Sequence, residues 1–200
     1  MSDATAHLRG SLLLQIARRT LERRLWREDD RPDPAPLPPS PEPWLLDRAA
    51  SFVSLHNERR LRGCVGSLEP VRPLIEDVRR NAVLAALEDR RFPPVAAAEL
   101  VDLTIEVTLL APRERIVCRT EEDAIARLRP GIDGLILTHG DRRATFLPQV
   151  WESIVEPGPF LAALKEKAGL EAAFWDSALV LERYTARRWS EDGPPSATLM

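Results

Sequence analysis

The strongest constraint on this 200-residue chain is the run "EDDRPDPAPLPPSPEP", residues 28–43, which carries seven of the 18 prolines. Proline lacks an N–H and its ring fixes φ near −65°, so such a run enters neither a helix interior nor an inner strand. The chain must fold as a short segment before this break and a long one after it. The break itself reads as an extended, polyproline-like connection lying on the surface. Its PxxP spacing also matches a partner-binding element, but a stiff crossover is favoured.

Before the break, residues 5–27 read as an amphipathic helix. Leu8, Leu12, Leu13, Ile16, Leu21 and Leu25 recur at three- and four-residue steps, with arginines on the other face. After the break the period changes repeatedly. "RAASFVSLHNERRLRGCVGSLEP" reads as a β-hairpin with a polar tip at His56–Arg60 and a second strand from Leu61 to about Leu68. "PVRPLIEDVRRNAVLAALEDRRF" predicts a helix with Leu74, Ile75, Val78, Ala82, Ala85 and Ala86 as its apolar stripe and Pro73 in its first turn. "LVDLTIEVTLLAP" alternates as a strand does, and Thr120 with its acidic followers predicts a short capped helix over 120–128. "GIDGLILTHGDRRATFLPQV" reads as a second hairpin turning at His139–Gly140–Asp141. A helix ending at Gly169 and a last strand in "ALVLERYTARRW" complete the chain. Mixed helices and strands with two hairpins make the fold class α+β, a mixed, largely antiparallel sheet with flanking helices. One domain is expected over 8–190, followed by a flexible tail at 191–200.

A hydrophobic content of 44% with 30% charged residues is that of a globular chain. The formal net charge of −3 gives no overall attraction to nucleic acid or an anionic membrane, and no aromatic-plus-basic stripe argues for either. The apolar run near the start is too short and too flanked by charge for a secretory signal, and no stretch reaches the ~20 apolar residues of a membrane span. The two cysteines have no metal-ligand or CxxC spacing, so reduced thiols and a cytoplasmic location are expected. P-loop, GxGxxG, HExxH and GxSxG patterns are all absent, and neither a cofactor nor a metal centre is expected.

The chemistry concentrates in "RLRGCVGSLEP", residues 60–70. Alternation along a strand puts Arg62 and Cys64 on one face, and a guanidinium beside a thiol favours its nucleophilic form. Gly63 and Gly66 permit close approach, either of a ligand or of another part of the chain. His7, His56 and His139 are the available bases, and none is placed beside Cys64 by its position in the sequence. "DRRFPPV" (89–95) follows a helix end. Arg91 and Phe92 there either clamp an anion, or complement the helix terminus and plug the core. Glu106, on the polar face of its strand, either meets Arg62 across the sheet or is solvated.

Taken together, "LRGCVG" (61–66) is similar to the LRGCIG-type hexapeptide of the AMMECR1 domain family. "FVSL" (52–55), "DRRFPPV" (89–95), "IEVTLL" (105–110), "GLILTHG…ATFLPQV" (134–150), "LKEKAGL" (164–170) and Trp175 follow in the family's order, so the resemblance spans roughly 8–190. It implies an α+β fold of two unequal subdomains with the hexapeptide near the cleft between them. It implies partners too: a Memo-like protein and a radical-SAM protein, often encoded beside stand-alone members as parts of a proposed AmmeMemoRadiSam system. Carried over by position, the family's site residues are Arg62, Gly63, Cys64, Gly66, Arg91, Phe92, Leu147 and Pro148. Relatives often have a histidine where this chain has Asp133. The resemblance implies no reaction. Two functions follow: an accessory or binding component, or an enzyme using Cys64 and Arg62 on a small anionic substrate.

Overall fold

The computed structural model describes residues 3–26 and 41–192, so the proline-rich run up to residue 40 and the end from residue 193 lie outside the described residues. In chain order the elements are α1 (Asp3–Leu25), β1 (Ser51–Asn57), β2 (Arg60–Gly66), α2 (Leu74–Leu87), β3 (Leu103–Leu110), β4 (Glu114–Arg115), α3 (Glu121–Arg127), β5 (Gly134–His139), β6 (Arg142–Phe146), α4 (Pro157–Lys167), β7 (Val180–Tyr184) and β8 (Ala186–Ser190). They form two antiparallel four-stranded sheets, ordered β2-β1-β3-β8 and β4-β7-β5-β6, in an α+β fold. The chain divides into two compact units. One comprises the residues up to Leu110 and those from Arg187, the other Ala111–Ala186.

In the first unit the inner face of the sheet is made by the alternate residues Val53, Leu55, Ile105 and Val107, all fully buried. α2 packs on β1 and β2, and α1 packs on α2 and β3. The small residues Ala82, Ala85 and Ala86 let α2 lie close to the hairpin. The inward line of α1 runs through Ala6, Gly10, Leu13, Ala17 and Leu21 rather than through the leucines alone, because Trp189 of β8 occupies the space a side chain at Gly10 would need. Leu8, two residues off that line, is 70% exposed. Asp77 of α2 is a fully buried carboxylate that joins the ends of the hairpin. It accepts from Ser51 N (2.9 Å) and Oγ (2.8 Å), Ser67 Oγ (2.7 Å), Arg72 Nη1 (2.7 Å) and Asn81 Nδ2 (3.0 Å). A buried charge is tolerable when its lone pairs are filled in this way.

In the second unit, Leu135, Leu137, Phe160, Leu161, Leu164 and Leu181 form the core, with the Trp151 ring stacked on Phe160 at 3.7 Å. Thr120 caps α3 by accepting from Asp123 N, and Gly169, at φ +75°, ends α4 in the left-handed conformation its position predicts. "ALVLERYTARRW" is two strands rather than one. It breaks at Thr185, β7 joining one sheet and β8 the other. Among the described residues, no helix is long and apolar enough to cross a membrane.

Candidate functional site

The hexapeptide occupies β2, an edge strand of its sheet. Opposite it on β1, Ser54 pairs with Cys64, Leu55 with Gly63 and Phe52 with Gly66. The two glycines serve packing. A Cβ on Gly63 would lie 2.1 Å from the Ala85 carbonyl oxygen of α2, and one on Gly66 would lie 2.1 Å from the Phe52 ring. Helix and hairpin meet at one, and an aromatic covers the other.

At Cys64 both backbone groups point away from β1. The N–H donates to Asp89 Oδ2 (2.9 Å) and the carbonyl accepts from Arg91 Nη2 (3.1 Å). Ser54 and Cys64 are therefore a non-hydrogen-bonded pair, the kind in which side chains come closest, and Ser54 Oγ donates to Cys64 Sγ at 3.2 Å. Asp89 and Arg91 clasp each other through Nε (2.9 Å) and Nη2 (2.6 Å), so a carboxylate and a guanidinium do for the strand edge what a further strand would do. The hydrogen bonds from the Arg91 side chain hold the Asp89 carboxyl well below the usual carboxylate range. Burial opposes the shift, and the Cys64 and Arg91 N–H groups add to it. Asp89, and to a lesser degree the Cys64 side chain, raise the Arg91 guanidinium above its ordinary value while burial opposes them. Arg91 also lies over the Phe92 ring at 5.5 Å. Phe92 is half-buried and does not plug the core; Val95, 3% exposed, fills that place.

Arg62 shares a face with Cys64, but its donors go elsewhere. Nε and Nη2 bind the Glu99 carboxylate (2.8 and 3.1 Å), and Nη1 and Nη2 bind the carbonyls of Pro93 (2.8 Å) and Pro94 (3.3 Å). Arg62, and then the Ala96 N–H, lower the Glu99 carboxyl. Glu106 pairs with Ser54 in register and reaches Arg188 of β8 at 3.5 Å, so it does not depend on Arg62. Cys64, Ser54 and Glu106 form one row across the sheet's outer face, and Arg188 reaches the Glu106 end of it. His56 lies two residues along β1 from Ser54 on that face, and its Nε2 is buried without a hydrogen bond among the described residues. No group of three or more metal-binding side chains is present among the described residues.

The family model for AMMECR1 matches residues 14–189. The chain belongs to the AMMECR1 family. A protein of Methanothermobacter thermautotrophicus is 37% identical over 188 residues, covering 92% of this chain and 95% of that protein. One of Thermococcus onnurineus is 37% identical over 198 residues, covering 92% and 91%. The crystal structure of an uncharacterized protein from Pyrococcus horikoshii superimposes with a TM-score of 0.80 at 32% identity, covering 94% of this chain and 95% of that one.

For this AMMECR1-family chain, Arg62, Gly63, Cys64, Gly66 and Arg91 come together around one strand, with Phe92 under Arg91. Leu147 and Pro148 belong to the second unit, where they open a 3-10 turn over Pro148–Glu152. Asp133, where the resemblance led to the expectation of a histidine, is fully buried and bound to Arg129 (2.6 Å to Nη2, 3.0 Å to its N–H), while its carbonyl accepts from Trp151 Nε1 (2.7 Å). Reading the sequence passed over Ser54, Asp89 and Glu99. Asp89 carried the one usable signal, a carboxylate two residues before Arg91 at a helix end.

Proposed function

We propose that this chain acts as an accessory, binding component, with the stretch 8–190 working as one domain beside a Memo-like protein and a radical-SAM enzyme. The observation that carries this is the full use of Arg62. Its fork is occupied by Glu99 and two proline carbonyls, and its side chain is only 15% exposed. A guanidinium committed in this way gives little to a small anionic substrate, whereas it fixes the 89–99 segment along the edge of β2. That weighs against catalysis by Cys64 and Arg62 together, and favours a rigid surface presented to another protein. The partner classes come from the family resemblance.

The test is co-purification. The full chain, tagged and expressed in its own organism, should bring down the Memo-like and radical-SAM proteins of that organism, and purified components should reform the complex. Recovery of neither protein, or recovery that purified components fail to reproduce, overturns the proposal.

A further inference from the structure

The binding role does not explain why a half-buried thiol has a hydroxyl and a guanidinium brought to it from two other segments. Ser54 Oγ donates to Cys64 Sγ at 3.2 Å from the neighbouring strand. Arg91 comes from the loop after α2, is bonded to the Cys64 carbonyl at 3.1 Å, and keeps 56% of its side chain exposed. Asp89 holds that guanidinium through Nε and Nη2 and holds the Cys64 N–H as well, so the cysteine's backbone and the cation are fixed to one carboxylate. Glu99 and the proline carbonyls draw Arg62 away, leaving Arg91 as the thiol's cation. No histidine is hydrogen-bonded to the sulfur among the described residues, which argues against a cysteine–histidine hydrolase. Oxidation by peroxide needs no general base of that kind. It needs an accessible sulfur and donors for the departing oxygen.

We propose that Cys64 is a peroxide-reactive thiol, converted to the sulfenic acid in a site completed by Ser54 and Arg91. The sulfur attacks one oxygen of hydrogen peroxide or an organic hydroperoxide. The S–O bond forms as the O–O bond breaks, and the departing oxygen takes the thiol proton to leave as water or an alcohol. Sulfur is oxidised by two electrons and the peroxide is reduced by two. The Ser54 hydroxyl and Arg91 guanidinium donate to the oxygens of the breaking bond and then to the sulfenate. Cys118 is the internal contrast: burial, and secondarily Asp123, push its thiol up, and its sulfur donates to the Ile116 carbonyl at 3.8 Å.

The experiment treats full-length Cys118→Ser protein with hydrogen peroxide, traps the sulfenic acid with a cyclic 1,3-dione and follows the adduct by intact mass. Cys64→Ser protein, in which only Cys118 reports, is treated in parallel. Cys64 should react at least about tenfold faster than Cys118. Arg91→Met should remove roughly a further tenfold of that rate, the effect of losing one hydrogen bond from a charged group, and Ser54→Ala a smaller part. Arg91→Lys, which keeps the charge, should retain more of the rate than Arg91→Met. Equal labelling of the two cysteines, or a Cys64 rate indifferent to both Ser54→Ala and Arg91→Met in proteins that melt like the parent, overturns the proposal. Partner binding plays no part in this assay, so its outcome is independent of the co-purification.

Discussion

The two β-hairpins invite comparison because each puts its second strand at the edge of a four-stranded sheet. In both, the strands pair in antiparallel register around a two-residue turn, and in both a glycine lies under a cross-strand aromatic, Gly66 under Phe52 and Gly134 under Tyr184. They differ in what closes the edge. On β2 a carboxylate, two arginines and two proline carbonyls bind the strand and the loop beside it. On β6 the Thr145 carbonyl takes one lysine, Lys167, at 2.9 Å, and the sheet rests on leucines and stacked rings. The first hairpin uses charge to hold a particular surface in place, and the second is held mainly by apolar burial.

That contrast can be broken in three places. The largest effect is expected at Gly63. Alanine there meets the backbone of α2, which cannot rotate aside, and should cost about 3 kcal/mol in urea unfolding. Gly134→Ala meets the Tyr184 ring at 2.4 Å, a side chain able to shift, and should cost about half as much. If the two losses were equal, the supposed rigidity of the first hairpin against its helix would be wrong.

Next comes the clasp. Asp89→Asn should lose about 2 kcal/mol at neutral pH, the size of a hydrogen bond to a charged partner, whereas Lys167→Met should lose under about 1 kcal/mol. Because Asp89 is depressed in the folded state, its contribution is present above the unfolded carboxylate value of about 4 and is lost as pH falls below that towards its folded value. Stability profiles of parent and Asp89→Asn should therefore converge on the acid side. Parallel profiles down to the acid limit would mean that the Asp89 charge does not hold the edge.

The smallest effect concerns the turns. The second uses Gly140 at φ +60°, whereas the first places Glu58 at φ +48° and Arg59 at +66°, where a Cβ is strained. Arg59→Gly should raise stability by about 1 kcal/mol. A loss on that substitution would mean that the Arg59 side chain contributes more than its backbone strain costs.

Much of this was legible because it is local. The alternation over 103–110, the alanine stripe of α2, the Thr120 cap and Gly169 each depend on neighbours within a few residues. What escaped was tertiary. Asp77 looks like an ordinary acidic first-turn residue, and only the meeting of Ser51, Ser67 and Arg72 makes it a buried anchor. Arg62 and Cys64 do share a face, as period 2 requires, but Arg62 found Glu99, 37 residues away, and no spacing rule reports that. Of the predicted α1 stripe, Leu13, Ile16 and Leu21 are buried and Leu12 and Leu25 pack on the core, but Leu8 is exposed, because Ala6, Gly10 and Trp189 take the inward line at that end of the helix. The break at Thr185 has no glycine or proline to mark it; each half of the segment is a good strand, and only the sheets divide them.

That division bears on how the protein is made. β8 closes the sheet beside β3, yet the ribosome delivers it only after every residue of the second unit. Once β3 has emerged from the ribosome, β1, β2 and β3 can pair with α2 packed on them, but the far edge of β3 is open, and Arg18 lacks Glu191, the carboxylate that will bind it. For the time needed to translate 76 more residues, Ala111–Ala186, the nascent first unit carries an unpaired strand edge. Completion of its sheet therefore waits on β8, and a ribosome stalled within the second unit holds the first with that edge open.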